Sequence, residues 1–429
     1  MIKQTIIFVL LFFNVQLFIT AQDKSGDFKF DSPFLESLKI DGSVRVRGEL
    51  KNPANYSNTS TDKTTDKVFN RVRLGFKAVI NDNVNVKIEF QDSRLWGDEG
   101  STTSDLNNVD LRQGYLELRE LWDKPLTLKA GRMAIKGHGN QRLISGLGWH
   151  NIARSWDGVE LKYEPDNYSL LIFGMNLREG LAFNATANSD DYFLGGVYFS
   201  WKGIENHNLD VFIYNRTHGD TGGSLEDRKD FTLGLSGKGK TSNFDYSGDL
   251  FFQTGEQGNS DVSAYAAAIT GGYTFDIDWK PRIGLEFAYA SGDDNTGDSD
   301  IKTFDPILPF GHFYHGHMDF ALFKNLQSFK IQFSVKPIEN VSFHLDGHMF
   351  WLPEETDNFY GIGFSRSNDT GTDKNTIGSE IDFYGKWKLF TRVYIWAGVS
   401  YFAPGDFIDD TSGEDDGGFW AFFQTNVKF

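Results

Sequence analysis

Two short stretches set a pattern that the rest of the chain repeats. Val44-Arg45-Val46-Arg47-Gly48-Glu49-Leu50 and Arg71-Val72-Arg73-Leu74-Gly75-Phe76-Lys77-Ala78 alternate apolar and charged residues. Successive side chains of a β-strand point to opposite faces, so each stretch has one apolar face and one highly charged face. Over 83–93, Val84, Val86, Ile88 and Phe90 oppose Asn85, Lys87, Glu89 and Gln91. Over 327–337, Phe329, Ile331, Phe333 and Val335 oppose Lys330, Gln332, Ser334 and Lys336. Over 340–352, Val341, Phe343 and Leu345 oppose His344, Asp346 and His348. Val393, Ile395, Ala397, Val399 and Tyr401 share a face of 391–403, and Ala421, Phe423, Thr425, Val427 and the terminal Phe429 share one of the last strand.

Clusters of Gly, Asn and Asp are turn formers, and they cut this pattern into eighteen predicted strands. The spans are 39–51, 67–80, 83–93, 109–120, 125–136, 153–164, 167–177, 190–201, 207–217, 229–240, 242–255, 262–277, 280–291, 327–337, 340–352, 377–388, 391–403 and 417–429. Asn81-Asp82, Asp166-Asn167, Pro337 to Asn340 and Leu389-Phe390 make tight connections. Long polar segments lie between them, at 52–66, 94–108, 137–152, 178–189, 218–228, 292–326, 353–376 and 404–416. An even strand number, with short turns at one end and long loops at the other, predicts an all-β fold. The expected form is one transmembrane antiparallel β-barrel of about 18 strands over 39–429. A soluble sandwich would bury the apolar face in a core, but strands this long and numerous are atypical of sandwiches.

The N-terminus reads differently. Lys3 precedes an apolar run over Ile6 to Phe13 and Val15 to Ile19, and Ile19-Thr20-Ala21 makes a small-residue cleavage site. Residues 1–21 are therefore expected to be a secretory signal peptide, and 22–38 a periplasmic N-terminal segment. No later run approaches the roughly 18–20 apolar residues of a spanning helix. The chain has no cysteine, so a lipoprotein anchor at this cleavage site is excluded. Aromatic residues make up 15%, with 40 Phe, at a mean hydropathy of −0.40, a combination natural to a barrel with aromatic girdles and polar loops. The expected location is the bacterial outer membrane, with its lipid and its assembly machinery as partners. A net charge of −17 without a basic patch argues against nucleic acid.

Four blocks carry a resemblance. The first is Gly131-Arg132-Met133 through Gly139-Asn140-Gln141-Arg142-Leu143-Ile144, continued by Trp149-His150-Asn151-Ile152-Ala153-Arg154-Ser155-Trp156-Asp157-Gly158-Val159. The second is Ser291-Gly292-Asp293-Asp294, then Thr303-Phe304-Asp305-Pro306-Ile307-Leu308-Pro309, His312 to Gly316 and Met318-Asp319. Asn325-Leu326-Gln327 and Gly378-Ser379-Glu380-Ile381-Asp382 complete the set. Together they resemble the alginate export family of outer-membrane barrels. The resemblance implies an eighteen-stranded barrel with an arginine-lined pore that passively exports a polyuronate, and periplasmic polysaccharide-secretion proteins as further partners. It marks Arg142, Trp149, Asn151, Arg154, Asp157, Asp293, Asp294, Asp305 and Pro306 as motif-loop residues.

The residues add a chemistry of their own. Arginine presents a planar fork that grips carboxylates and stays charged, so an arginine-lined constriction favours anions. The inward cations expected from alternation are Arg45, Arg47, Arg71, Arg73, Lys77, Lys87, Lys129, Arg132, Lys162, Arg282, Lys330, Lys336, Arg392 and Lys428. Glu49, Glu89, Glu117, Glu160, Glu286, Glu380 and Asp382 are expected to point inward too. The arginines therefore either pair with these carboxylates across strands or leave a net positive constriction.

The acidic runs at 293–300, 409–410 and 414–416 offer oxygen ligands, but their spacing is not that of an EF-hand and they read as solvated loops. His315 and His317 are expected to share a strand face near His312. No metal or cofactor is expected. Loop 292–326 is a candidate for folding into the barrel as a constriction. No G-x-S-x-G, H-E-x-x-H or Walker motif occurs, so no enzyme is expected. The expected function is a channel for anionic solutes, with a polyuronate such as alginate implied by the resemblance. The alternatives are a general or small-anion porin and, of another class, a barrel-anchored adhesion or binding protein that acts through its acidic loops.

Overall fold

The computed structural model describes residues 19–22, 27–30, 32, 34–61, 63–101, 108–178, 192–219 and 227–429. The expected signal peptide lies almost wholly outside the described residues, as do most of loops 178–189 and 218–228. Eighteen long strands form one sheet. They are β1 (Ser37–Asn52), β2 (Thr65–Asn81), β3 (Val84–Leu95), β4 (Val109–Leu118), β5 (Leu126–Ala134), β6 (Ser155–Tyr163), β7 (Tyr168–Arg178), β8 (Tyr192–Trp201) and β9 (His207–His218). They continue with β10 (Arg228–Thr241), β11 (Phe244–Gln257), β12 (Ser260–Thr274), β13 (Arg282–Ala290), β14 (Leu326–Ile338), β15 (Val341–Trp351), β16 (Thr376–Phe390), β17 (Val393–Pro404) and β18 (Gly418–Lys428).

All eighteen correspond to predicted strands, with small shifts at the ends. Each pairs antiparallel with its neighbours, and β18 pairs with β1 from Phe419↔Asn52 to Lys428↔Ser43, closing the barrel. Closure answers a physical demand: in hydrocarbon every backbone N–H and C=O must be paired within the protein, and a closed sheet has no edge. No helix among the described residues is long and apolar enough to cross a membrane. The short turns mark the periplasmic rim and the long loops the extracellular one.

The faces follow the alternation. Val72, Leu74, Ile88, Phe90, Leu233, Leu285 and Phe383 are exposed on the outside, where lipid meets them. Arg45, Arg71, Lys87, Glu286 and Asp382 point inward and are buried. An open tube would leave such side chains wet. They are buried because two extracellular loops turn into the lumen.

The first loop is 135–154, between β5 and β6, and the second is 291–325, between β13 and β14. Each carries apolar side chains that a solvated loop would not hold: Leu143 and Ile144 in one, Phe304, Phe310, Phe320 and Phe323 in the other, all buried. Burying each such side chain contributes roughly 1.5–3 kcal/mol, which favours the inward fold. The loops join by backbone pairing. Ile144 bridges Leu308, Ser145 N–H donates to Leu308 O at 2.9 Å, Leu308 N–H to Leu143 O at 2.7 Å and Phe310 N–H to Gln141 O at 2.9 Å. The second loop is thus the expected inward fold, whereas the first was not anticipated. Residues 312–317 run through this loop and form no strand, so the expected strand face of His315 and His317 is replaced by buried turn positions.

Above the two loops, Arg366 fastens the extracellular rim. Its buried guanidinium donates to Ile408 O at 2.5 Å, Thr411 O and Oγ1 at 2.7 Å, Glu414 O at 2.8 Å and Tyr56 O at 3.4 Å.

Candidate functional site: two walls around the inward loops

β1, β2 and β3 lie side by side, and their register brings the predicted cations into one wall. Arg45 stands opposite Arg71, Ser43 opposite Arg73, and Arg73 opposite Gln91. Nearer the periplasm, Lys39, Lys77 and Lys87 form a row in which Lys87 pairs with Asp41 at 2.7 Å. Arg112 joins from β4 through a bulge opposite Glu89 and pairs with that carboxylate at 2.8 Å. Arg47 pairs with Glu49, donates to Trp149 O at 2.6 Å and lies 3.9 Å from the centre of the Trp149 ring.

The other three arginines are answered differently. Arg45 donates to Gly148 O at 3.0 Å, His150 O at 3.2 Å and Asn151 Oδ1 at 3.2 Å. Arg71 donates to His150 O at 3.1 Å and Gly148 O at 3.3 Å. Arg73 donates to Gln91 Oε1 at 2.6 Å and Ile152 O at 3.4 Å. Among the described residues none of the three has a carboxylate partner; every acceptor is a neutral oxygen. A carbonyl satisfies the donor geometry but leaves the full positive charge in place. His150 adds none, because burial and then the neighbouring Arg47, Arg154 and Arg45 push its pKa below the ordinary histidine value.

The motif residues hold the strap 148–152 in place. Asn151 Nδ2 donates to Asn70 O and Arg94 O, both at 3.2 Å, while its Oδ1 faces Arg45. The Trp149 ring stacks on His312 at 4.4 Å and meets Trp396 and Phe422 edge-on. Arg154 donates to Ser145 O, Leu308 O and Pro309 O at 3.1, 2.6 and 3.2 Å, tying the two loops together.

Across the lumen the same loop does the opposite. Buried Arg142 meets Glu286 at 2.8 Å and Asp249 at 3.4 Å, over the Tyr314 ring at 4.0 Å. Asn140 donates to Asp249 at 2.6 Å, and His138 Nε2 lies 2.6 Å from Glu160. Lys330 sits 3.5 Å from Glu286 and donates to Phe313 O at 3.0 Å. Arg216 pairs with Asp230 at 2.5 Å and Asp305 at 2.7 Å, Arg228 with Asp230 at 2.8 Å, and His348 lies 3.2 Å from Asp382. Burial alone would raise the pKa of Asp305, but Lys324, Arg216 and Arg228 hold it well below the usual carboxylate range. Pro306 is buried beside it.

The remaining predicted residues scatter. Lys129 points inward between Glu117 and Glu160, 3.8 Å from each. Arg282 pairs with Asp245 at 2.5 Å near the periplasmic rim. Asp293 takes the Asn295 N–H at 3.1 Å, and Asp294 pairs with Lys302 at 2.5 Å, both away from the basic wall.

Two expected lumen cations are misplaced. Arg132 stands opposite Gly114 and Asp157, on the outward face. The inward face of β5 carries Lys129, Gly131 and Met133, and alternation cannot put residues 129 and 132 on the same side. Arg132 pairs outside with Asp157 at 2.7 Å, so Asp157 is a strand residue and not a loop one. Arg392 sits at positive φ in the exposed periplasmic turn before β17, off the lumen wall. Sequence reading missed Arg112, whose inward aim depends on a bulge that alternation does not show. It also missed Arg216 and Arg228, although both lie in phase with inward Asp230 on their strands. No group of three or more His, Asp or Glu side chains among the described residues is arranged to hold a metal ion.

Comparison with known proteins agrees with this architecture. The alginate export family model matches residues 36–422. Among solved structures, Pseudomonas aeruginosa OccD3 (OpdP) superposes with a TM-score of 0.61 at 10% identity, covering 94% of this chain and 93% of that one. OccK2 (OpdF) from the same organism, in complex with glucuronate, gives 0.60 at 12% identity, covering 92% and 99%. The outer membrane protein OprD, also from P. aeruginosa, gives 0.60 at 10%, covering 96% and 97%. No curated protein matches the chain.

Proposed function

Because this chain belongs to the alginate export family, a family of bacterial outer-membrane channels, we propose that it conducts anionic solutes, with uronate-bearing saccharides as the substrate class. One observation carries the reading: Arg45, Arg71 and Arg73 form a wall whose charge is met by neutral oxygens only. A uronate presents one carboxylate per sugar, and a guanidinium fork can take it with two parallel bonds. A carboxylate brings a full negative charge to the guanidinium where a carbonyl brings only a dipole, so it can compete with the carbonyls of 148–152 for the same donors. Each capture is an exchange of one acceptor for another and stays weak. Conduction needs such sites, favourable enough to enter and weak enough to leave. In this reading residues 1–21 direct export, the segment ahead of β1 lies on the periplasmic side, and the outer-membrane assembly machinery inserts the barrel.

A second reading, a channel for small organic anions, draws support from the glucuronate bound to the structurally similar OccK2. Planar-bilayer recording separates the two. The polyuronate reading expects oligouronates to interrupt the current in a length-dependent way. Passage of single uronates without any block by oligomers would favour the small-anion channel. Equal block by neutral oligosaccharides would overturn both.

A further inference from the structure

A cavity of about 770 Å³ opens at the periplasmic mouth, between β14 and β18, and no motif or predicted pathway residue accounts for it as a whole. This volume lies within the roughly 300–1,000 Å³ typical of small-ligand pockets. Its lining brings three kinds of chemistry together. Lys336, Lys386 and Lys388 supply positive charge against one lining carboxylate, Glu339, and among the described residues none of the three has a carboxylate within ion-pair distance. Lys386 Nζ rests on rings alone, 4.9 Å from Trp396, 5.3 Å from Tyr384 and 5.6 Å from Phe313. Tyr394 and Trp396 supply aromatic surface, while Gln424 and Asn426 supply amides.

The polar groups here are under-used. The Trp396 indole Nε1, Gln424 Oε1 and Asn426 Oδ1 are buried and have no hydrogen-bond partner. Buried polar atoms are normally paired, so these three groups keep hydrogen-bonding capacity that a ligand in the cavity can use. Gln424 is only 8% exposed, which makes its orphan oxygen the most costly of the three.

Register ties the cavity to the basic wall. Lys386 stands opposite Trp396, Trp396 opposite Gln424, and Gln424 opposite Arg47. In the next row Lys388 stands opposite Tyr394, Tyr394 opposite Asn426, and Asn426 opposite Arg45. The cavity therefore continues the arginine wall sideways and toward the periplasm. Phe313 of the second inward loop stacks on Trp396 at 5.5 Å from above.

We propose that this cavity is a binding subsite for a single uronate sugar, entered from the periplasm. Lys386, with Lys336 and Lys388, takes the carboxylate. The faces of Trp396 and Tyr394 meet the sugar ring, and Gln424 and Asn426 meet its hydroxyls. The subsite deepens the anionic-saccharide reading and rests on it. It hands the sugar to Arg47 and Arg45 one register step away.

The test uses the full chain in planar bilayers, with trigalacturonate added to the periplasmic side. Wild type should show block that neutral maltotriose and acetate at the same concentrations do not produce. Lys386→Met should weaken the block about tenfold, and Gln424→Leu should weaken it by a smaller factor. Lys386→Arg should restore it, which separates a lost contact from a misfolded barrel. Wild-type block in Lys386→Met at unchanged open-channel conductance would overturn the subsite, even if the channel remains anion-selective. Equal block by maltotriose would overturn the carboxylate assignment, and equal block by acetate the saccharide one. Absence of anion selectivity in wild type would instead remove the reading on which the subsite rests.

Discussion

The two walls of this lumen carry opposite charges, and one loop treats them in opposite ways. On β1–β3 the loop 135–154 offers main-chain carbonyls to Arg45 and Arg71, which satisfy donors without cancelling charge. On β11 and β13 the same loop offers Arg142, which together with Lys330 answers the charge of Glu286 and Asp249. The formal net charge of −17 therefore says little about the lumen. What matters is which charges are left without a counter-charge, and on the β1–β3 wall these are Arg45, Arg71 and Arg73. The lesson is that hydrogen-bond satisfaction and charge neutralisation are separate quantities, and a backbone strap supplies the first without the second.

Several variants would break this contrast, beginning with the largest effect. Arg142→Ala removes the guanidinium that sits between buried Glu286 and Asp249, and breaking a buried ion pair on one side costs about 3–5 kcal/mol. The expected outcome is release of loop 135–154, read as lost hydrogen-exchange protection over 140–146 and a noisier open channel. Adding Glu286→Gln should recover part of the loss.

Asn151→Ala is next, because that amide joins the strap to Asn70, Arg94 and Arg45. A loss of about 1–3 kcal/mol is expected, confined to 148–152 and visible there by hydrogen exchange while 140–146 stays protected. A smaller effect concerns acid. Asp305 sits on the second inward loop with its pKa held below the usual range, so its contribution is present above the unfolded carboxylate value and is lost only as pH falls through the folded one. Conductance contributed by this anchor should hold from pH 8 down to about pH 5, and Asp305→Asn should loosen the loop equally at both. The smallest effect belongs to Arg132→Gln. That residue faces outward beside Asp157, and an exposed pair contributes only about 0–1 kcal/mol. Unchanged ion selectivity is expected, and a change as large as that of Arg71→Ala would restore Arg132 to the lumen.

Much of this was legible in the sequence. Alternation at Val72 and Leu74 against Arg71 and Arg73 fixed both faces of β2, and similar runs placed the other strands. The alternating pattern has two blind spots. A bulge changes the phase, which hid Arg112, and a turn ends it, which misplaced Arg392. The partners of the arginines were less legible still. Carboxylates announce themselves as Glu49 and Glu89, but a main-chain carbonyl has no letter in the sequence. The inward fold of loop 135–154 left one signal, the apolar pair Leu143-Ile144 amid Gly, Asn and Arg, and its meaning depended on a second loop far along the chain, met at Leu308.

The most direct measurement is the reversal potential of the purified channel across a potassium chloride gradient. It should be compared between wild type, the triple variant Arg45→Gln, Arg71→Gln, Arg73→Gln, and the double variant Asp249→Asn, Glu286→Gln. The account predicts anion selectivity in wild type, its loss in the arginine variant and no loss in the carboxylate variant, where Arg142 and Lys330 are left without their counter-charges. Cation selectivity in wild type, or an equal shift in both variants, would contradict it.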